Sequence, residues 1–242
     1  MTLDAGYADR VSRLHPELVY QVEPSEQALT VERTAVIERL GAPKRVLEMG
    51  SANGLFSALL ADRGHDLLAV EGDPRSVELT RASGVRVVEG DIENPATWKG
   101  IDGKFDAVLF MHVLEHLADP WIALRRARER LTPDGCVLSL LPNVAAWRVR
   151  KDLFLHGRFD YTESGILDCT HLRFFTLGGG LKLHRAAGFH NVRQVPVAVI
   201  APFERRLRVQ LGAPRIAARW ESWALGRFPD LCTEIALFEA TS

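Results

Sequence analysis

The sequence is short of cysteine, has no long apolar run and carries almost no net charge, and each shortage removes a class of function. Cys136, Cys169 and Cys232 are odd in number and far apart, so they form neither a disulfide framework nor a zinc-finger pattern. No stretch approaches the roughly 20 apolar residues of a membrane-spanning helix. No basic segment followed by an apolar core opens the chain, so no secretory leader is read and the expected location is the cytoplasm. A formal net charge of −1 argues against a nucleic-acid partner. With 242 residues, 47% of them hydrophobic and 25% charged, the chain can build one large domain, or one domain with a small appendage.

What is present is an alternation of two patterns. Apolar strand-like runs recur at 46–48, 67–71, 85–88, 105–110 and 136–141. Helix-like stretches lie between them at about 54–63, 75–82 and 120–131. Such alternation specifies an α/β fold with a parallel sheet covered on both faces. Before it, residues 1–41 read as a polar arm followed by a helix that starts near Ser25 and ends at Gly41. Residues 42–242 then form the main domain. Within it, 143–176 is expected to be a long irregular insertion after the fifth strand. A helix over 177–187 and strands over 189–197 and 233–238 follow. The arginine-rich segment 203–227 is expected to be helical, either closing the acceptor cleft or meeting phosphate groups or anionic lipid headgroups.

The chemistry begins at Arg45-Val46-Leu47-Glu48-Met49-Gly50-Ser51-Ala52-Asn53-Gly54-Leu55-Phe56. An apolar run, an acid, small residues at alternate positions and a helix start describe a turn that lets backbone approach a ligand. The glycines do not fit the Gly-x-Gly-x-x-Gly of dinucleotide sites, and no Gly-Lys-Ser/Thr follows to make a phosphate loop. The stretch resembles motif I of class I S-adenosylmethionine-dependent methyltransferases, with Ala52 in place of the middle glycine. The resemblance continues in order through Val70-Glu71-Gly72-Asp73-Pro74, Glu89-Gly90-Asp91-Ile92, Phe105–Phe110 and Leu131–Val137. It implies a Rossmann-like fold with a seven-stranded, mostly parallel sheet, and S-adenosylmethionine as cofactor. It also implies cofactor contacts from Glu48, Gly50, Ser51, Ala52, Gly54, Glu71, Gly72, Asp91, Ile92 and His112. Glu71 would hold the ribose hydroxyls and Asp91 the adenine amino group. Asp73, which stands before Pro74, reads as a helix cap rather than a ligand.

Two further segments bear on the acceptor. His112-Val113-Leu114-Glu115-His116 matches a zinc-protease pattern, yet it directly follows the fourth strand and precedes a helix start at Asp119-Pro120. The same Leu-Glu-His occurs in relatives of the ubiquinone-pathway O-methyltransferases, which carry an acid where His112 stands and are linked to a divalent cation. With histidine there, no metal set is read, and His116 is expected to border the acceptor pocket. Gly157–Thr176 resembles the signature Gly-Arg-Phe-x-Tyr…Leu-Asp-x-Thr-His-x-Arg-Phe-Phe-Thr of a bacterial methyltransferase branch tied to polysaccharide and glycosylated-metabolite pathways. That implies a small-molecule acceptor, a sugar or glycosylated compound first, with a phenolic, polyketide or quinone-type hydroxyl as the alternative. A non-catalytic cofactor-binding partner domain is the reading from another class. His171 is the expected general base, with Asp168 orienting its ring and Tyr161 touching the acceptor. Equally open at this point is that Asp168, Thr170, His171 and Arg173 only brace the insertion. Membrane association is the lesser expectation, and the oligomeric state is not read.

Overall fold

The computed structural model describes residues 30–204 and 206–242. The arm over 1–24, the start of the first helix at Ser25 and Arg205 lie outside the described residues. Helix α1 (Val31–Leu40) begins where the Thr30 hydroxyl accepts from Arg33 N–H, and it ends at Gly41, whose φ of 66° is favoured by glycine. Seven strands follow: β1 (Arg45–Met49), β2 (Asp66–Glu71), β3 (Arg86–Glu89), β4 (Phe105–Met111), β5 (Leu131–Pro142), β6 (Asn191–Val199) and β7 (Thr233–Thr241). Between the early strands run α2 (Leu55–Asp62), α3 (Pro74–Ala82), α4 (Pro95–Lys99) and α5 (Pro120–Glu129). The later part adds α6 (Trp147–His156), α7 (Leu177–Ala186), α8 (Pro214–Arg227) and α9 (Pro229–Cys232).

The strands form one sheet in the order β3-β2-β1-β4-β5-β7-β6. β1 to β5 are parallel, and β7 runs antiparallel between β5 and β6. Successive residues feed opposite faces, as the period of two requires. Leu47, Met49, Val108 and Phe110 enter one core, while Val46, Ala107 and Leu109 enter the other with Val36 and Leu40 of α1. Strand order reverses between β1 and β4, so their carboxyl ends open a crevice where ligands bind in such sheets. The ends of β1, β2, β3 and β4 carry Gly50, Glu71, Gly90 and His112 to that edge.

One expected strand start and one expected irregular stretch differ most from what is observed. β5 starts at Leu131 rather than at Cys136, and its pairing with β4 shifts register between Phe105 and Ala107. Thr132–Gly135, which read as a turn, is taken into the strand by that irregularity. Inside the insertion, Trp147–His156 is a helix, ended by Gly157 at φ 61°. Its apolar residues do not mark a buried stripe: Phe154 is 87% exposed and only Val149 is buried. The helical period therefore left little trace in the sequence. In the arginine-rich segment a π-helical turn (Arg206–Gln210) precedes α8, and Arg208 pairs with both Glu204 and Glu221. No helix among the described residues is long and apolar enough to cross a membrane.

Helix α7 seats on the sheet through a fully buried histidine. His184 donates from Nδ1 to the Gly180 carbonyl and accepts at Nε2 from the Ser139 hydroxyl, each at 2.8 Å. Its ring stacks on Phe238, with centroids 5.4 Å apart. Burial drives its pKa from 6.5 down to about 4, so the ring is neutral in the fold. The unfolded chain therefore takes up a proton below pH ~6.5 that the native state refuses, and stability falls as pH drops through that window. We expect His184 to cost about 2 kcal/mol of stability between pH 7 and pH 5. Urea unfolding of the wild type and of His184→Gln at both pH values measures this; equal losses in the two proteins would refute it.

Candidate functional site

The turn after β1 is assembled from strained and buried parts. Gly50, Ala52 and Gly54 all take positive φ, at 76°, 48° and 73°. A side chain at Gly50 would come within 2.9 Å of Val113 Cγ2, and one at Gly54 within 2.7 Å of the Thr80 Cα. Both glycines are therefore demanded by space as well as by conformation. Ala52 has no such excuse, and holds a left-handed backbone at a cost of about 1–2 kcal/mol. Its N–H donates to Glu71 Oε2 at 2.8 Å, which holds it there.

Several expected cofactor residues turn out to support this turn from behind. Glu48 is only 2% exposed and accepts from the Ser57 hydroxyl. Burial pushes its pKa up to about 7, against the lowering effect of the Ser57 bond. Ser51 is spent on Thr80, hydroxyl to hydroxyl at 3.0 Å. Sealed under the loop, these two side chains fix α2 and α3 against it, which leaves the main chain at Glu48 and Ser51 as the part that can meet a cofactor.

Glu71 faces the crevice. Its Oε1 accepts from the N–H groups of Gly72 and Asp73 at 2.8 and 3.0 Å, and its Oε2 from Ala52. A carboxylate offers roughly four lone-pair positions, so about one is left for a ligand hydroxyl. Holding two hydroxyls would require one backbone bond to be exchanged. Asp73 caps α3 through Ser76 N–H, which holds its pKa below the usual carboxylate range, as its place before Pro74 indicated. Asp91 is exposed, with Oδ1 accepting from Glu93 N–H. Gly72 lies against Gly90 and Asp91, a Cβ there falling 3.7 Å from the Gly90 carbonyl, so the loops after β2 and β3 form one wall. Ile92, half-buried in that wall, is held by Trp98, whose indole N–H donates to its carbonyl.

Past β4 the chain turns sharply at His112, with φ 56°, into a single 3-10 turn (Leu114–His116). His112 and His116 therefore do not share an α-helical face, and the protease pattern has no helix to sit on. The His112 ring meets Glu115 Oε1 at 3.2 Å and Glu32 Oε2 at 3.1 Å. Burial opposes its charge, but the two carboxylates win and raise its pKa to about 10, while the same contact lowers that of Glu32. Both ring nitrogens are committed to carboxylates, so a cofactor contact at His112 would come from its main chain.

The insertion docks onto that turn. The N–H groups of Leu172 and Arg173 both donate to the Glu115 carbonyl, at 2.9 and 3.0 Å, and Arg173 donates to the Ala118 carbonyl. Asp168 does not orient His171, contrary to expectation. Its Oδ1 takes the N–H and hydroxyl of Thr170, closing a local turn. The His171 ring is set instead by Nδ1 donating to the Ile166 carbonyl at 3.1 Å, and burial lowers its pKa. His116 is set likewise, its Nδ1 lying 3.2 Å from the Thr170 carbonyl and 3.1 Å from its hydroxyl. The two rings meet edge to face, 4.8 Å between centroids. Phe174 connects them to Tyr161 and Phe159, the latter two about 40% exposed. Glu115 completes the group: it is fully buried, and its Oε2 has no hydrogen-bond partner. Sequence spacing could not bring His116 to His171, since 54 residues lie between them, and Glu115 was visible only as part of the Leu-Glu-His pattern.

Strand order, the glycine turn and the acid after β2 define a class of protein, and comparison with known proteins agrees. Residues 25–194 match the model of a methyltransferase-domain family. The chain belongs to that family, as a class I S-adenosylmethionine-dependent methyltransferase domain. Among curated proteins it is similar to a ubiquinone biosynthesis O-methyltransferase of Azorhizobium caulinodans, 35% identical over 100 residues, covering 39% of this chain and 38% of that protein. The same-named protein of Xanthomonas axonopodis pv. citri is 36% identical over 109 residues, 42% and 44% of the two chains. The chain thus spans about two fifths of the length of the curated relatives it matches. Solved structures share the fold along most of the chain. A methyltransferase from Archaeoglobus fulgidus has TM-score 0.59 at 16% identity, covering 99% of this chain and 100% of that one. The Burkholderia thailandensis 1,6-didemethyltoxoflavin-N1-methyltransferase, solved with its substrate and S-adenosylhomocysteine, has TM-score 0.56 at 20% identity, covering 100% and 93%.

The residues present fit the cofactor of this class. The positive φ values of Gly50, Ala52 and Gly54 let the turn pass close under a ligand, Glu71 keeps an accepting position open, and Asp91 is exposed in the adjoining wall. Two substitutions test the turn. Ala52→Gly relieves the left-handed strain and should stabilise the protein by about 1 kcal/mol with cofactor affinity retained. Glu71→Ala should abolish cofactor binding in calorimetry while the protein stays folded by circular dichroism. A destabilised Ala52→Gly, or a Glu71→Ala that binds as the wild type does, would contradict the assignment.

Proposed function

We propose that this protein transfers a methyl group from S-adenosylmethionine to a hydroxyl of a phenolic or quinone-type small molecule. The observation that carries the reading is the contact of donor and acceptor machinery: Gly50 of the cofactor turn packs on Val113, two and three residues before Glu115 and His116, against which His171 is docked. The bound cofactor supplies a methyl group on a positively charged sulfur, which leaves as a thioether when the acceptor oxygen forms the new C–O bond. The enzyme's share is to align that oxygen and to remove its proton. With Nδ1 of each imidazole donating to a carbonyl, the Nε2 atoms of His116 and His171 keep their lone pairs. Phe159, Tyr161 and Phe174 supply aromatic surface suited to a flat acceptor.

The curated relatives are named for quinone biosynthesis, which favours the alternative acceptor over the sugar first expected from Asp168–Thr176. Methyl-labelled cofactor offered with catechols, hydroquinols and monosaccharides tests this choice: label is expected in the aromatic products. Label in sugars alone would overturn the acceptor class. His171→Gln should lower kcat by about a hundredfold or more while cofactor affinity is unchanged. Wild-type turnover in that variant would remove His171 from the reaction.

A further inference from the structure

We infer that the first turn of α1 is a clasp for the cofactor: Glu32 and Arg33, neighbours of opposite charge, brace the end of β4 and the start of α2, which flank the donor turn. Both are positioning residues, since their side chains act through protein groups. The inference depends on the S-adenosylmethionine site and not on the acceptor proposed above.

Helix α1 runs across one face of the sheet. Val36 and Leu40 are buried in the core that holds Val46, Ala107 and Leu109. In the last turn Arg39 pairs with Glu239, toward the far end of β7. The first turn reaches the carboxyl edge, where Glu32 Oε2 stands 3.1 Å from His112 Nε2, directly after β4. The next residue turns to the other side. The Arg33 guanidinium lies 5.7 Å from the centre of the Phe56 ring, two residues past Gly54 of the donor turn. Its charge also acts on Glu48 of β1: burial raises the pKa of that acid, and the Ser57 bond and Arg33 oppose the rise. One helical turn thus sets an anion on the imidazole after β4 and a cation near the acid of β1. Those are the two strands between which the crevice opens.

An acid in a first helical turn is common, because it complements the helix dipole. That accounts for neither the contact with His112 nor the cation near Glu48. Apolar packing does not hold the turn either: Val31 is 65% exposed, and full burial begins at Val36. Helix ends without such anchorage fray, so Glu32 and Arg33 are what keep this one at the crevice.

The effect reaches the donor turn through the main chain. His112 holds a φ of 56°, and its ring is fixed at both nitrogens, by Glu115 on one side and Glu32 on the other. Loss of Glu32 frees one nitrogen and weakens what keeps that left-handed backbone in place. Val113, the residue that follows, is the one that packs on Gly50. Docking of the α1 turn and occupancy of the crevice therefore favour each other, and the coupling runs in both directions.

Hydrogen–deuterium exchange and calorimetry on the full chain test this, with S-adenosylhomocysteine as the probe. Saturating probe should slow amide exchange over residues 33–36 of the wild type about tenfold. Glu32→Gln and Arg33→Met should each weaken probe binding about tenfold, while the melting temperature without probe stays within about 4 °C of the wild type. In Glu32→Gln the protection of 33–36 by the probe should largely vanish. The wild-type exchange needs no substitution, so it decides even where a variant fails to fold. Exchange at 33–36 that ignores the probe, or unchanged affinity in both variants, overturns the inference. A lower melting temperature with wild-type affinity overturns it too, leaving Glu32 and Arg33 as stabilising residues only. No acceptor enters these measurements, so hydroxyl methylation stands or falls apart from them.

Discussion

The structure turns on Glu115, a buried residue held by its backbone and its side chain at once. Its carbonyl receives two N–H groups from the insertion, and its carboxylate is steered by His112, which is in turn held by Glu32 of α1. One residue thus joins three parts of the chain that are far apart in sequence. The His112 backbone pays for the connection with a left-handed conformation directly after β4. That conformation ends the strand abruptly and sends Val113 back toward Gly50. Without it, the segment carrying Glu115 and His116 would have no reason to pass beside the cofactor turn.

The donor side is built on a different balance. Of the three positive φ values within five residues, only that of Ala52 stores strain, because the two glycines reach this region freely. What opposes the strain is buried polarity: Glu71 on the Ala52 N–H, Glu48 on Ser57 and Ser51 on Thr80. Glu48, with its pKa near 7, is stabilised in its protonated form by the same burial that lets it support the loop. A loop fixed this firmly before a ligand arrives loses little entropy on binding.

The fold was legible because its signals are local and repeated. Strands covered on both faces read as apolar runs, and the punctuation at Gly54, Asp73-Pro74 and Asp119-Pro120 marked where helices begin. The same reasoning missed α6, whose buried face is too narrow to leave a periodic trace, and started β5 too late because Pro133 and Gly135 imitate a turn. At the site, residue types were read correctly and partnerships were not. Asp168 and His171 are close in sequence, so a dyad was the natural expectation. The hydrogen bonds instead run from Asp168 to Thr170, from Thr170 to His116 and from His171 to Ile166. Pairings of that kind depend on how the insertion docks, and no period or motif carries that information.

A consequence for specificity follows from the same docking. The donor turn is fixed by main-chain geometry and by residues buried beneath it, so changes on the acceptor side leave it untouched. The aromatic surface proposed for the acceptor is that of Phe159, Tyr161 and Phe174 on the insertion, of which Phe159 and Tyr161 are substantially exposed and in ring contact with Phe174. Their neighbours at Gly157 and Gly165 have open space around the Cβ position and positive φ, so the backbone there is shaped by local turns rather than by packing. Substitutions around 157–165 can therefore reshape the acceptor wall at small cost to stability. Changes at Asp168–Arg173 would instead release the insertion from Glu115 and dismantle the histidine pair. Within one insertion, the part proposed to select the acceptor is separable from the part proposed to act on it.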